Sequence, residues 1–258
     1  MTDTTLGQPK AALGVGSLIG ESFSIFFRHF IPIIIIAYAM TVISVVISGL
    51  MVGFDVAMGI EQRPSNDVGD FILYYSTTLV KMAAGSLATA LILQLAYDAK
   101  LHRPVSIARY VSPALSAFLP LVVLSVVQTI LGTVGVVLLI VPGLWIYAVF
   151  SVSDPAVVIE RAGFHGLHRS AALTKNYRWP IVGLLCLLLI FVVAITIATV
   201  FLSKIVVAFG GTVSAVILFS ALTSVVTGFG SVLTALIYAR LREIKDGVSV
   251  DQIVSVFD

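Results

Sequence analysis

Residues 119–159 read LPLVVLSVVQTILGTVGVVLLIVPGLWIYAVFSVSDPAVVI, an apolar stretch with one charged side chain, Asp154. A helix crossing a bilayer needs about 20 mostly apolar residues, so the stretch suits two crossings and is too long for one. Val141-Pro142-Gly143 interrupts it, and proline followed by glycine reads as a helix stop and a tight turn. The stretch therefore predicts a helical hairpin, with crossings over about 119–141 and 144–159.

Outward from this hairpin, four more apolar runs meet the same length criterion, at about 31–54, 71–97, 180–202 and 213–239. Composition agrees. Of 258 residues, 59% are hydrophobic and 11% are charged, with a mean hydropathy of +1.10. A soluble domain carries about 25% charged residues. So few charges exclude a soluble enzyme and a disordered chain, and predict an all-α polytopic membrane protein. A net charge of +2 is too small for a nucleic-acid footprint. The single cysteine, Cys186, gives neither a disulfide framework nor a thiolate metal site. The opening Met1-Thr2-Asp3-Thr4-Thr5 lacks the basic start of a secretory signal, so the first crossing is expected to be retained.

Topology follows from the loops. With six crossings, Lys10, Arg28, Lys100, Arg103, Arg109, Arg161, Arg169, Lys175, Arg178, Arg240, Arg242 and Lys245 share one side. Arg63 and Lys204 fall on the other, beside the acidic Asp55, Glu61, Asp67 and Asp70. The positive-inside rule makes the first side cytoplasmic and places both termini there. Three crossings also begin with an aromatic residue and a nearby proline: Phe30-Ile31-Pro32, Phe118-Leu119-Pro120 and Trp179-Pro180. Each is preceded by a stretch of helical character, at about 18–30, 106–118 and 164–175, expected to lie along the cytoplasmic surface. The predicted architecture is a single membrane domain over 1–258, built as three hairpins, each entered from an interfacial amphipathic helix.

Few residues could carry chemistry. Asp154 falls near mid-membrane, followed by Pro155, which frees a backbone carbonyl. It reads either as a proton or substrate site or as a structural carboxyl paired within the bundle, with Lys81 as a possible partner. Lys81 breaks the second apolar run and reads as an outer-interface marker reached by snorkelling, or as part of an ion path. His165 and His168, three residues apart, are too few for a metal site. In the 160–179 segment, Arg161, Arg169, Lys175 and Arg178 are candidate contacts for anionic headgroups, or simple topology anchors. Dinucleotide, Walker, nucleophile-elbow and His-Glu-x-x-His motifs are lacking, so no catalytic residue, cofactor or metal ligand is assigned.

Val141-Pro142-Gly143-Leu144-Trp145, Pro155-Ala156-Val157-Val158-Ile159-Glu160-Arg161, and Arg169-Ser170-Ala171-Ala172-Leu173-Thr174-Lys175 closing on Tyr177-Arg178-Trp179 together resemble a known pattern. It is the core signature of the glycerophosphoryl diester phosphodiesterase membrane-domain family. The related YciC-like family of bacterial inner-membrane proteins has a similar layout, including a closing Ile237-Tyr238-Ala239-Arg240-Leu241-Arg242. The catalytic His-Arg-Gly signature of some members is missing, since His102-Arg103 is followed by Pro104 and His168-Arg169 by Ser170. The resemblance implies a stand-alone membrane domain without the catalytic half, in a bacterial inner membrane.

The expected function is that of a non-enzymatic inner-membrane protein that supports envelope or phospholipid organisation through headgroup-binding surface helices. The alternative is a small proton-coupled transporter or lipid-translocating protein using Asp154. Membrane phospholipids are the expected partners.

Overall fold

A computed structural model describes residues 12–61, 67–138 and 140–247, and every regular element among them is helical. Lys10 and Arg63, counted in the charge argument, lie outside these residues. Five segments are long and apolar enough to cross a membrane: Phe30–Val52, Val68–Lys100, Ile107–Gly135, Val141–Ile159 and Arg178–Asp246. The chain is an all-helical protein suited to a bilayer.

Helix α1 (Val15–Arg28) buries Leu18, Ser22, Ile25 and Phe26, the spacing of one helix face, and leaves Phe23 and Phe27 exposed. The helix ends at His29. α2 (Phe30–Val52) then starts with Pro32 in its first turn, where no N–H partner is lost. A single turn, α3 (Phe54–Ala57), precedes α4 (Val68–Lys100). Asp67 caps α4, its Oδ1 accepting from the Asp70 N–H at 2.8 Å.

The last helix, α9 (Arg178–Asp246), is introduced here out of order because it sets the frame. The intervening elements are α5 (Ile107–Leu138), α6 (Ile140–Phe150), α7 (Ser153–Ile159), a 3-10 turn at Gly163–His165, and α8 (Gly166–Thr174). If straight, α9 would be about 100 Å long. Gly211 interrupts it with φ 75° and ψ 175°, a positive-φ conformation open to glycine. The Phe191 and Phe229 rings lie 5.4 Å apart, and Lys245 Nζ lies 5.7 Å from the Tyr177 ring. Both pairs straddle Gly211 almost evenly, so the two arms, 178–210 and 212–246, run back against each other.

The middle of the chain departs from the sequence expectations in three ways. The 106–118 surface helix is not separate; it continues into the next apolar run as α5, with Pro113 and Pro120 inside. An interior proline removes one helix hydrogen bond without forcing a stop when the helix is held by its packing on neighbouring elements. Secondly, Pro142-Gly143 does not end a helix. Pro142 falls in the first turn of α6, where its missing N–H has no partner to lose. Glycines instead bring α5 and α6 together: a Cβ on Gly135 would lie 2.8 Å from Gly143 Cα, and one on Gly132 would overlap the Tyr147 ring.

Thirdly, the fourth apolar run is broken at Ser151–Val152 into α6 and α7. Pro155 has no N–H to offer the Ser151 carbonyl, which weakens the helix there. Arg178 Cζ lies 4.5 Å from the centre of the Trp145 ring, and Glu160 accepts from the Tyr238 hydroxyl at 2.7 Å. Arg178 opens the first arm of α9 and Tyr238 lies near the close of the second, so both contacts sit at one end of the molecule. In a straight helix Trp145 and Glu160 would be about 22 Å apart along the axis. The 144–159 run is therefore bent rather than one straight helix, and both its ends contact α9. α5 packs against α4, α6 and α7, its Tyr110 hydroxyl donating to Asp98 near the end where α4 and α9 finish. The core concentrates at that end, where Ile92, Leu93, Leu95, Leu173, Ile181, Leu236, Tyr238 and Leu241 are almost fully buried.

Candidate functional site

The break between α6 and α7 is held by α8. The Val149 carbonyl accepts from Ser170 Oγ at 2.8 Å and from Thr174 Oγ1 at 3.2 Å. Ser170 Oγ in turn accepts from the Val152 N–H at 3.3 Å. Both hydroxyls belong to fully buried residues, so α8 supplies backbone partners where the chain leaves helical geometry. Gly166 makes the approach close, since a Cβ there would lie 2.5 Å from Val157 Cγ2 and 3.2 Å from the Ser153 carbonyl oxygen.

An ion-pair network then ties α8 to the rest. Arg169 donates to both Glu160 oxygens, at 2.7 and 2.9 Å, and also pairs with Asp246. Arg242 lies 4.0 Å from Glu160 and 3.6 Å from Asp246, and donates to the Tyr97 hydroxyl at 3.1 Å. The Tyr97 and Tyr238 rings lie 5.9 Å apart in a tilted contact, closing the set across α4, α7, α8 and α9. Burial alone would raise the Glu160 carboxyl. The hydrogen bonds from Arg169 and Tyr238 and the charges of Arg169 and Arg242 outweigh it, holding Glu160 below its ordinary 4.5. The bond to Glu160 pushes Arg169 further up.

The four cations proposed for headgroup contact thus fall into two groups. Arg169 is committed to Glu160 and Asp246, and the Arg178 guanidinium stacks on Trp145. Both are half-buried, and these partners within the protein compete with the expected headgroup contact. Arg161 and Lys175 are exposed. Arg161 takes φ 55°, a left-handed residue just past α7, and Lys175 caps α8. Exposed Arg103, just past the close of α4, shares this end, and exposed Phe164 and Trp179 follow Arg161 and Lys175 within four residues.

Asp154 and Lys81 are not brought together. Gln128 Nε2 lies 2.9 Å from Ser153 Oγ and 3.4 Å from Asp154 Oδ1, and Ser153 Oγ donates to Asp154 Oδ1 at 3.2 Å. Lys81 Nζ instead donates to the Ala57 carbonyl at 2.8 Å, on a different part of the bundle. Sequence reasoning missed Gln128, although a lone amide in an apolar run was a usable signal. It also missed Ser170, Thr174 and Asp246, whose partners are remote in sequence.

Comparison with known protein families, with curated proteins and with solved structures finds no match.

Proposed function

We propose that the chain is a non-enzymatic integral protein of a bacterial inner membrane, whose cationic end engages anionic phospholipid headgroups. It would serve as a stand-alone relative of the membrane-domain family it resembles, supporting envelope or lipid organisation. The observation that carries the reading is the exposure of Arg161 and Lys175, with exposed Phe164 and Trp179, in the segments that flank the braced helix α8. Aromatic rings favour the headgroup level, and each nearby cation adds about 1 kcal/mol of attraction to an anionic leaflet.

The topology proposed with it departs from six crossings. α2, α4 and the two arms of α9 cross fully, while α5, α6 and α7 form a re-entrant hairpin on the cytoplasmic side. Both termini remain cytoplasmic, as the distribution of Lys and Arg requires.

The test is the lipid retained by the purified full-length protein in mixed phosphatidylcholine and phosphatidylglycerol. Wild type should enrich phosphatidylglycerol, and Arg161→Gln/Lys175→Gln should lose about a thirtyfold share of that preference, since two such contacts amount to about 2 kcal/mol. Equal retention by both proteins would defeat the reading.

A second reading has its own observation. Asp154 is hydrogen-bonded to Gln128 and Ser153, and no cation pairs with it among the described residues. An intramembrane carboxyl of this kind suits a proton-coupled transporter or lipid translocator. Proteoliposomes report it directly: Asp154→Asn should abolish proton flux under this reading, and unchanged flux would dismiss it.

A further inference from the structure

Lys81 stands nineteen residues before Lys100 on α4, about 28 Å along the helix. That is close to one hydrocarbon thickness. Lys100 pairs with Glu21 at the cytoplasmic end, and Lys81 lies in the outer half of α4, which runs on from it to Val68. Beside Lys81, a cleft of about 180 Å³ opens between α2, α4 and the second arm of α9. Thr41, Ser44, Lys81, Thr223 and Thr227 line it, and no carboxylate does among the described residues.

The donors in this cleft are unequally used. Thr41 and Ser44 donate to carbonyls of their own helix, at 2.8 and 2.9 Å. Thr223 and Thr227, four residues apart on one face, have no hydrogen-bond partner among the described residues. Lys81 gives one N–H to Ala57 and keeps two. A cation with free N–H groups and two free hydroxyls, sharing a cleft without a carboxylate, is a donor set in want of an acceptor.

We propose that this cleft binds a small oxyanion, a phosphoryl or carboxylate group. It is either presented by an anionic lipid of the outer leaflet or taken up as free phosphate. Lys81 supplies the charge, and Thr223 and Thr227 turn their hydroxyls to the oxygens. The cleft is at the far end from Arg161 and Lys175, so the inference stands independently of the headgroup reading.

Two arms test it on the full-length protein. In the first, phosphatidylglycerol retained from mixed nanodiscs is measured for wild type, Lys81→Met, Lys81→Arg and Thr223→Val/Thr227→Val. In the second, inorganic phosphate is titrated calorimetrically into the same proteins in pure phosphatidylcholine. Loss of a charge-assisted contact predicts about a tenfold drop for Lys81→Met and the threonine pair, with Lys81→Arg near wild type. A drop in the first arm alone assigns a lipid headgroup, and a drop in the second assigns free phosphate. The threonine variant leaves the Lys81–Ala57 bond intact, so it decides the matter if Lys81→Met fails to fold. Wild type binding in neither arm, or binding unchanged in the threonine variant, overturns the proposal.

Discussion

Ser170 is the residue on which the middle of the molecule turns, because one buried hydroxyl serves both sides of a broken helix. Ser170→Ala leaves the Val152 N–H without a partner and the Val149 carbonyl with Thr174 alone. A buried group left unsatisfied costs about 1–3 kcal/mol, so the melting temperature in detergent should fall, and fall further for Ser170→Ala/Thr174→Val. Glu160 makes a pH prediction of definite sign. Its folded-state pKa lies below the ordinary 4.5, so its contribution is complete above that value and is lost as pH falls through the folded value. An acid titration of stability should therefore show a step in wild type that Glu160→Gln lacks. Neither residue's role was legible in sequence. Glu160 meets Arg169 nine residues on through the turn between α7 and α8, and Ser170 meets Val149 across a break that propensity does not locate. The exposure of Arg161 and Lys175 at helix ends was legible, because charge and neighbouring aromatics are local signals.

At the scale of elements, the apolar runs of α2 and α4 were legible from composition, as was a turn near 203–212, which narrows to the single residue Gly211. Proline was read less well. Local pattern makes Pro120 and Pro142 helix boundaries, yet one lies inside α5 and the other in the first turn of α6. Proline forbids an N–H partner, not a helix, and the outcome depends on packing that a local pattern does not contain. The glycine contacts between α5 and α6 separate two effects. Ala at Gly132 would meet the movable ring of Tyr147, whereas Ala at Gly135 would meet the backbone of Gly143. Gly135→Ala should thus be the more damaging, by about 1–3 kcal/mol of overpacking, and thermal melts of the two single variants compare them directly.

Across the whole molecule, a bilayer protein was evident from the scarcity of charge, while its crossing pattern was not. Hydropathy weighs 144–159 as one crossing because it registers neither the break at Ser151–Val152 nor the contacts of Trp145 and Glu160 with α9. In the proposed topology Arg161 and Lys175 lie on the face shared by α1 and the close of α9, so the cationic surface and the re-entrant hairpin are one claim. Site-directed labelling in intact cells tests it, in a Cys186→Ser background with single cysteines at exposed Phe209, near the turn of α9, and exposed Val141, near the tip of α5–α6. A membrane-impermeant maleimide added from outside should label Phe209→Cys and leave Val141→Cys unmodified. Labelling of Val141→Cys from outside would restore an upright fourth crossing and contradict the account.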